Sequence, residues 1–383
     1  MKRKNFILVI LCFSVLCLSS CTKIETVELN ERLIIEAIGI DVENGNYKVS
    51  IEGLDSFNTG IDNANISAEA VTKCYLFEGK TVGMAMNSIS TVTGQIPLFS
   101  QTRILILGME TAQSHLSEVL DFFRREYTTR TDILIAVAEN KASDVISADF
   151  GKNVSAGDII EAAVQSYRYT GASVYSPLYK FLNAAMSETD AAFCPLIGIK
   201  KNVYSDKSEV NIVGTAVFGK SGHTVLSKEE TLALTAINND MENGDLLLDT
   251  DKGRLTLEII NCKTKIKTSI KNKNVTFYIK TEITCDIPEY QTLDFGELTR
   301  GDTEEISEKA AEKLCKLFSD TLQSTYYSNN YDLFGFARRI HLKDKSTYDF
   351  LKNEEKNDFS KYSTCEIDVQ VSIRRIGKVI LNK

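Results

Sequence analysis

The chain of 383 residues carries 44 Lys and Arg against 52 Asp and Glu, a net charge of −8, with nine Cys, three His and no Trp. An anionic body is repelled by phosphate backbones and acidic lipid head groups, which argues against nucleic acid as a partner and against charge-driven docking on a membrane. The length suffices for two or three domains with cores of their own.

Lys2, Arg3 and Lys4 lead into a 13-residue apolar stretch, residues 6–18, that ends in Leu18-Ser19-Ser20-Cys21. The stretch is too short for a permanent membrane span, and small residues precede the cysteine, the pattern of a lipoprotein signal over residues 1–20. Cleavage would leave Cys21 first, where its thiolate can attack a diacylglyceryl donor and carry acyl chains through a thioether. Two chains hold a soluble body at a membrane persistently, whereas one does so only marginally. The alternative is an ordinary secretory signal with a chance cysteine. The mature body would carry −11, since residues 1–20 hold three cations and no acid. No later segment approaches 18 uninterrupted apolar residues, so no transmembrane helix is expected.

Residues 33–40 and 47–51 predict two strands joined at Asn44-Gly45, a type I′ hairpin signal. Residues 67–77 predict another strand. Residues 81–90 predict a helix with Val82, Ala85, Met86 and Ile89 on one side. The apolar runs 104–107 and 133–138, joined by one helix carrying Ala112, Leu116, Val119, Leu120 and Phe123, predict a parallel βαβ crossover with both sheet faces covered. Residues 153–190 read as mainly helical, a candidate subdomain, with Ser176 as N-cap and Pro177 at the first helical position.

The polar run 202–209 marks a boundary, dividing the mature chain into domains 21–203 and 204–383. Beyond it, residues 212–218 and Val225 predict a hairpin through Gly219-Lys220-Ser221-Gly222, and Ser227 with Glu230 has capping-box spacing for a helix through Ile237. Residues 246–260, 264–270 and 275–285 read as a three-strand meander. Asp302 and Glu305 start a long helix carrying Ile306, Ala310, Leu314 and Leu317, followed by helices over 333–342 and 347–353 and a strictly alternating strand over 365–373. The expected fold is multidomain, mixed α/β and α+β. An N-terminal α/β domain holds a mixed sheet, and a C-terminal α+β domain holds a largely antiparallel sheet, wet on one side, with a long helix.

Chemistry is sparse. His115 reads as packing at a helix edge, His223 as a turn residue, and His341 as a residue near a helix C-terminus, where the helix dipole favours an imidazolium. There is no Gly-x-Ser-x-Gly elbow, phosphate-binding Gly-rich loop or His-Glu-x-x-His, so no catalytic, metal or cofactor site is predicted and the chain is read as no enzyme. The pairs Arg124-Arg125, Arg338-Arg339 and Arg374-Arg375 could grip a carboxylate or phosphate, but read first as solvated ends of elements; the segment 343–356 reads as an exposed helical face. Six cysteines remain besides Cys12, Cys17 and Cys21. Cys285 and Cys365 continue alternating apolar faces and read as small core residues rather than disulfide partners.

Several short motifs occur in one order behind the lipoprotein signal. They are Glu28-Leu29-Asn30 with Ala37-Ile38-Gly39-Ile40-Asp41, Glu78-Gly79-Lys80-Thr81, Arg103-Ile104-Leu105-Ile106-Leu107-Gly108, Phe122-Phe123-Arg124-Arg125-Glu126, Gly214-Thr215-Ala216-Val217-Phe218 and Asp332-Leu333-Phe334-Gly335-Phe336. In these the chain resembles the Ger(x)C family, the lipoprotein C subunits of spore nutrient germinant receptors. It departs from that pattern in having Thr22 after Cys21 where members often have Trp, and in lacking Trp altogether. The resemblance implies a non-enzymatic subunit on the outer face of the inner spore membrane, anchored in the lipid bilayer through diacylglyceryl-Cys21. Its implied partners are a membrane-spanning A subunit and a permease-like B subunit, and its implied work is to support assembly or signalling when a nutrient triggers germination. The motifs themselves read as structural: Gly39 and Asp41 end a strand before the hairpin, and Gly214 permits close backbone approach. The reading from another class is a substrate-binding lipoprotein of a membrane transporter, for which two lobes of repeated βα units would be expected.

Overall fold

The structure is a computed structural model that describes residues 31–54, 72–126, 130–151, 154–251, 253–292, 300–377 and 379–380. The signal stretch, Cys21, Glu28-Leu29-Asn30 and residues 67–71 lie outside the described residues.

Strand β1 (Arg32–Glu43) turns through Asn44 and Gly45, both at positive φ (50° and 73°), into β2 (Asn46–Leu54), as a type I′ turn requires. β3 (Thr72–Gly79) pairs with β2, and Thr81 caps helix α1 (Val82–Thr93), which buries the predicted Val82, Ala85, Met86 and Ile89. β4 (Ile96–Leu98) pairs with the start of β1. β5 (Ile104–Gly108) and β6 (Leu134–Ala138) are parallel, as the crossover reading requires. The connection, expected as one helix, is two: α2 (Met109–Ser114) and α3 (Leu116–Arg125) break at His115, whose ψ of 18° leaves the helical region and lets its ring meet Tyr47 edge-on at 6.0 Å.

α4 (Ala142–Ile146) and α5 (Ala156–Gln165) cover one face of this sheet. After α6 (Tyr167–Thr170), helix α7 (Leu178–Met186) covers the other face with α1 and α3. Ser176 does not cap α7. Its carbonyl accepts from Ile135 N, its hydroxyl donates to Phe193 O at 2.8 Å, and Pro177 bridges Leu134, so a short β contact with β6 holds it outside the helix. β7 (Ala192–Lys201), β8 (Ser208–Gly219) and β9 (Gly222–Leu226) complete a nine-stranded sheet of order β3-β2-β1-β5-β6-β7-β8-β9, with β4 alongside β1; the central β1, β5, β6 and β7 are parallel. His223 lies on β9 opposite Phe218, one residue beyond the predicted turn. A Cβ on Gly214 would sit 2.0 Å from Leu226 O, so the close approach read from the sequence is real.

Ser227 and Glu230 form the predicted capping box on α8 (Lys228–Ile237). A second, five-stranded sheet follows: β10 (Gly244–Thr250), β11 (Gly253–Lys271), β12 (Asn274–Thr292), β13 (Ser363–Ile376) and β14 (Val379–Ile380). The reading of residues 246–260 as one strand is corrected. The chain reverses between Thr250 and Gly253, and β11 then runs unbroken through 264–270. Two irregularities, at Thr256/Glu258 and Ile259/Asn261, switch its buried side chains from Leu255, Leu257 and Ile259 to Cys262, and that change of phase looked like a strand end.

Helix α9 (Arg300–Leu322) buries Ile306, Ala310, Leu314, Phe318 and Leu322, with Leu317 only partly covered. It continues through a π-helical turn, Gln323–Tyr327, to α10 (Phe336–Lys343) and α11 (Lys345–Asn353). Because these helices cross the sheet before the chain returns, β13 lies parallel to β12. This is the one parallel ladder in a sheet that is otherwise antiparallel, in keeping with the largely antiparallel sheet expected. The outer face, with Lys265, Lys280, Glu282, Glu366 and Asp368, is wet. One apolar cluster joins Val217 and Leu226 of the first sheet to α8 and the second sheet, so the two halves share a core.

Candidate functional site

In open α/β sheets, ligands bind beyond the carboxyl ends of the parallel strands, where helix N-termini present free N–H groups. Here that position is filled by the chain itself. Asp41, next to the apolar stretch Ala37–Ile40 of β1 and 4% exposed, leans from β1 onto the start of α4 and accepts from Ala142 N at 2.8 Å and Ser143 N at 2.9 Å. A Cβ on Gly108 would sit 2.1 Å from Asp41 Oδ1, and one on Gly39 would sit 2.4 Å from Ser50 Oγ and near α4. The motifs holding Gly39, Asp41 and Gly108 are therefore one packing unit, and β1 continues to Glu43 rather than ending at Asp41.

The arrangement recurs twice. Buried Glu52 accepts from Ala156 N at 2.7 Å, Gly157 N at 2.8 Å and Ser155 Oγ at 2.9 Å at the start of α5. Glu36 lies beside it, and burial pushes its carboxyl up. Asp332 accepts from Phe334 N at 3.1 Å, Phe336 N at 2.9 Å and Ala337 N at 2.7 Å at the start of α10. Burial pushes the Asp332 carboxyl up to about 6, against the pull of those amides. Its carbonyl also accepts from Ala191 N at 3.1 Å, which ties the motif Asp332-Leu333-Phe334-Gly335-Phe336 to the first half of the chain. Sequence reasoning missed all three caps; the available signal was a carboxylate beside apolar residues.

The residues weighed for chemistry are not brought together. His115, His223 and His341 sit on α2–α3, β9 and α10, with His341 against the Tyr348 ring at 4.7 Å. Among the described residues no group of three or more His, Cys, Asp or Glu is placed to hold a metal ion. Arg124 and Arg125 both pair with Asp121, at 2.7 and 2.8 Å; Arg338 is exposed and Arg339 half-buried. Lys352, expected on a merely solvated face, pairs with Glu188 of the first half. The six thiols are free. Burial pushes those of Cys262 and Cys365 up to about 11 and that of Cys285 up to about 12, so the core reading of Cys285 and Cys365 holds and neither is a thiolate at neutral pH.

The third arginine pair does grip a carboxylate, the chain's own. Asp286, 2% exposed, accepts from Arg374 Nε at 3.0 Å and Nη2 at 2.6 Å, with Arg375 Nη2 at 2.8 Å. The register shift between Cys285 and Asp286 is what lets two consecutive arginines reach it. Hydrogen bonding from Arg374, then the two positive charges, holds the Asp286 carboxyl below the usual carboxylate range. A depressed pKa gives stability that is present above the unfolded value near 4 and is lost as pH falls through the folded one. Asp286→Asn is thus expected to cost about 1–2 kcal/mol at pH 7 and to flatten the loss of stability as pH falls below about 4, as read by urea unfolding at each pH.

A helix-covered mixed sheet sharing its core with an α+β layer, its helix N-termini filled from within, defines a two-part scaffold. Residues 25–199 match the family model described as spore germination protein N-terminal domain, and residues 213–377 match spore germination B3/GerAC like, C-terminal. The chain belongs to the Ger(x)C family of spore germination proteins, the C subunits of germinant receptors. It is 23% identical over 380 residues to spore germination protein B3 of Bacillus subtilis (strain 168), covering 96% of each chain. It is 21% identical to spore germination protein YndF of the same organism, covering 99% of this chain and 98% of that one. The crystal structure of the GerBC protein superposes with a TM-score of 0.54 at 16% identity, covering 88% of this chain and 96% of that one. The transporter alternative has no counterpart in the fold, whose second half is a five-stranded sheet with one parallel ladder rather than a second lobe of βα units.

Proposed function

We propose that this chain is a lipid-anchored, non-enzymatic germinant-receptor subunit on the outer face of the inner spore membrane, where it supports assembly or signalling with a membrane-spanning A subunit and a permease-like B subunit. The observation that carries this reading is the succession of two germination-family matches, from residue 25 to residue 377, directly behind the Leu18-Ser19-Ser20-Cys21 signal. No described helix is long and apolar enough to cross a membrane, so attachment in this reading comes from the acyl chains on Cys21. Three helix N-termini filled by Asp41, Glu52 and Asp332 support a scaffold rather than an anion receptor. We also propose two units along the chain, 21–203 and 204–383; the polar run 202–209 holds the turn between β7 and β8, so the second unit lends β8 and β9 to the first sheet.

The anchor acts through concentration. A body held at the bilayer meets its membrane partners without needing strong pairwise affinity. Cys21→Ala is therefore expected to move the protein from the membrane to the soluble fraction of broken spores and to weaken the response to nutrient, read as release of dipicolinate. Full germination with the variant protein released from the membrane would refute the reading.

A further inference from the structure

A quarter of the chain's residues are charged, yet the 22 residues from Thr81 to Thr102 contain no Asp, Glu, Lys or Arg, the longest such run in the sequence. The run folds as α1, β4 and the turns around them. One side of α1 is core. On the other, Met84 and Val92 are 58% and 67% exposed, and Ile96 on β4 is 47% exposed.

Three of the hydroxyls on α1 bond within the helix, while Asn87 and Ser90 stand exposed. Ser88 Oγ donates to Ala85 O at 2.7 Å, Thr91 Oγ1 to Ser88 O at 2.8 Å and Thr93 Oγ1 to Ile89 O at 2.7 Å, all within the helix. Covering such a surface strands few hydrogen-bonding groups, so its desolvation is cheap. Charges stand only at the margins, with Lys80 before the run and Arg103 after it. A charge-depleted centre with a charged rim is the compositional mark of a protein–protein interface. Helices that lie on a bilayer instead combine basic residues with exposed aromatics. This run has no cation, and its one aromatic, Phe99, is buried.

Position adds the second constraint. β4 pairs with the start of β1, Arg32 with Ile96 and Ile34 with Leu98, at the point where the chain arrives from Cys21. Residues 22–30 span at most about 30 Å when extended. Given the anchor proposed above, on which this argument rests, the uncharged face is held close to the membrane surface.

We propose that the outer face of α1, with Ile96, is the surface through which this chain packs against a membrane-embedded partner protein, one that presents an uncharged, apolar surface at the outer boundary of the bilayer. The test is affinity purification of the full chain from detergent-solubilised spore membranes, comparing the unsubstituted protein with Val92→Asp, Met84→Glu and a control, Asn272→Asp, at the exposed β11–β12 turn. Both α1 positions are more than half exposed, so folding is expected to persist, and hydrogen exchange of the purified variants verifies it. The expected result is at least a tenfold fall in co-purified membrane protein for each α1 variant, with membrane attachment retained and the control unaffected. A photo-crosslinking residue at position 92 is expected to capture an integral membrane protein. Undiminished recovery with both α1 variants, or capture of lipid alone or of a second copy of this chain, overturns the proposal and leaves the receptor reading standing. If the unsubstituted chain brings down no membrane protein, the receptor reading fails and takes the proposal with it.

Discussion

Phe336→Ala is expected to lower the unfolding free energy by about 4 kcal/mol, the cost of emptying a fully enclosed aromatic site. Phe336 is 0% exposed and stacks on Phe277 of β12 with ring centroids 4.1 Å apart; Tyr326 and Phe334 close the cluster at 4.9 and 5.3 Å. Each such pair adds about 0.5–1.5 kcal/mol beyond simple burial, so much of the loss lies in ring contacts that an aliphatic replacement cannot restore. The amide of residue 336 still donates to Asp332 in the variant, which separates the side chain's part from the helix cap. Denaturant unfolding would measure the loss. A decrease below about 1.5 kcal/mol, the range of a well-tolerated core replacement, would mean the ring contacts add little to stability.

The second large effect is expected at Asp41. Asp41→Ala removes the acceptor for one buried and one partly buried amide, adding the cost of stranded donors to that of a lost helix cap, about 3 kcal/mol together. Gly108→Ala attacks the same feature from the opposite side, because its methyl would occupy the place of Asp41 Oδ1. The two substitutions act on one contact, so the double variant is expected to lose at least about 1 kcal/mol less than the sum of the singles. Simple additivity would show that Gly108 is required for some other reason.

Much of the architecture was legible because it is local. The Asn44-Gly45 turn, the apolar side of α1, the Ser227–Glu230 box and the alternation through β12 each need only a few consecutive residues to declare themselves. The features that were misread or left unspecified depend on remote partners. Ser176 has the chemistry of a cap but is claimed by β6 and β7; β11 hides its continuity behind two irregularities; β13 alternates identically whether its neighbour runs parallel or antiparallel. The carboxylate caps were invisible for the same reason, since Asp41 meets its amides 101 residues downstream and Glu52 meets Ala156 104 residues downstream. Cys21, which lies outside the described residues, is proposed from a linear signal pattern whose reading needs no fold.

The parallel ladder between β12 and β13 also dictates the order in which the molecule can be completed. Its partners lie far apart along the chain, 88 residues at the Asp286–Arg374 contact, and three helices must be laid across the sheet before the last strand can enter. Closing a loop of that length costs about 4 kcal/mol of chain entropy before any contact repays it, and topologies of this kind fold slowly. In the exported form proposed above, a chain delivered from its N-terminus can finish the first sheet while the second still waits for residues 363–376. Until those residues emerge, the flank of β12 is an open edge, the state in which a strand is most exposed to the wrong neighbour.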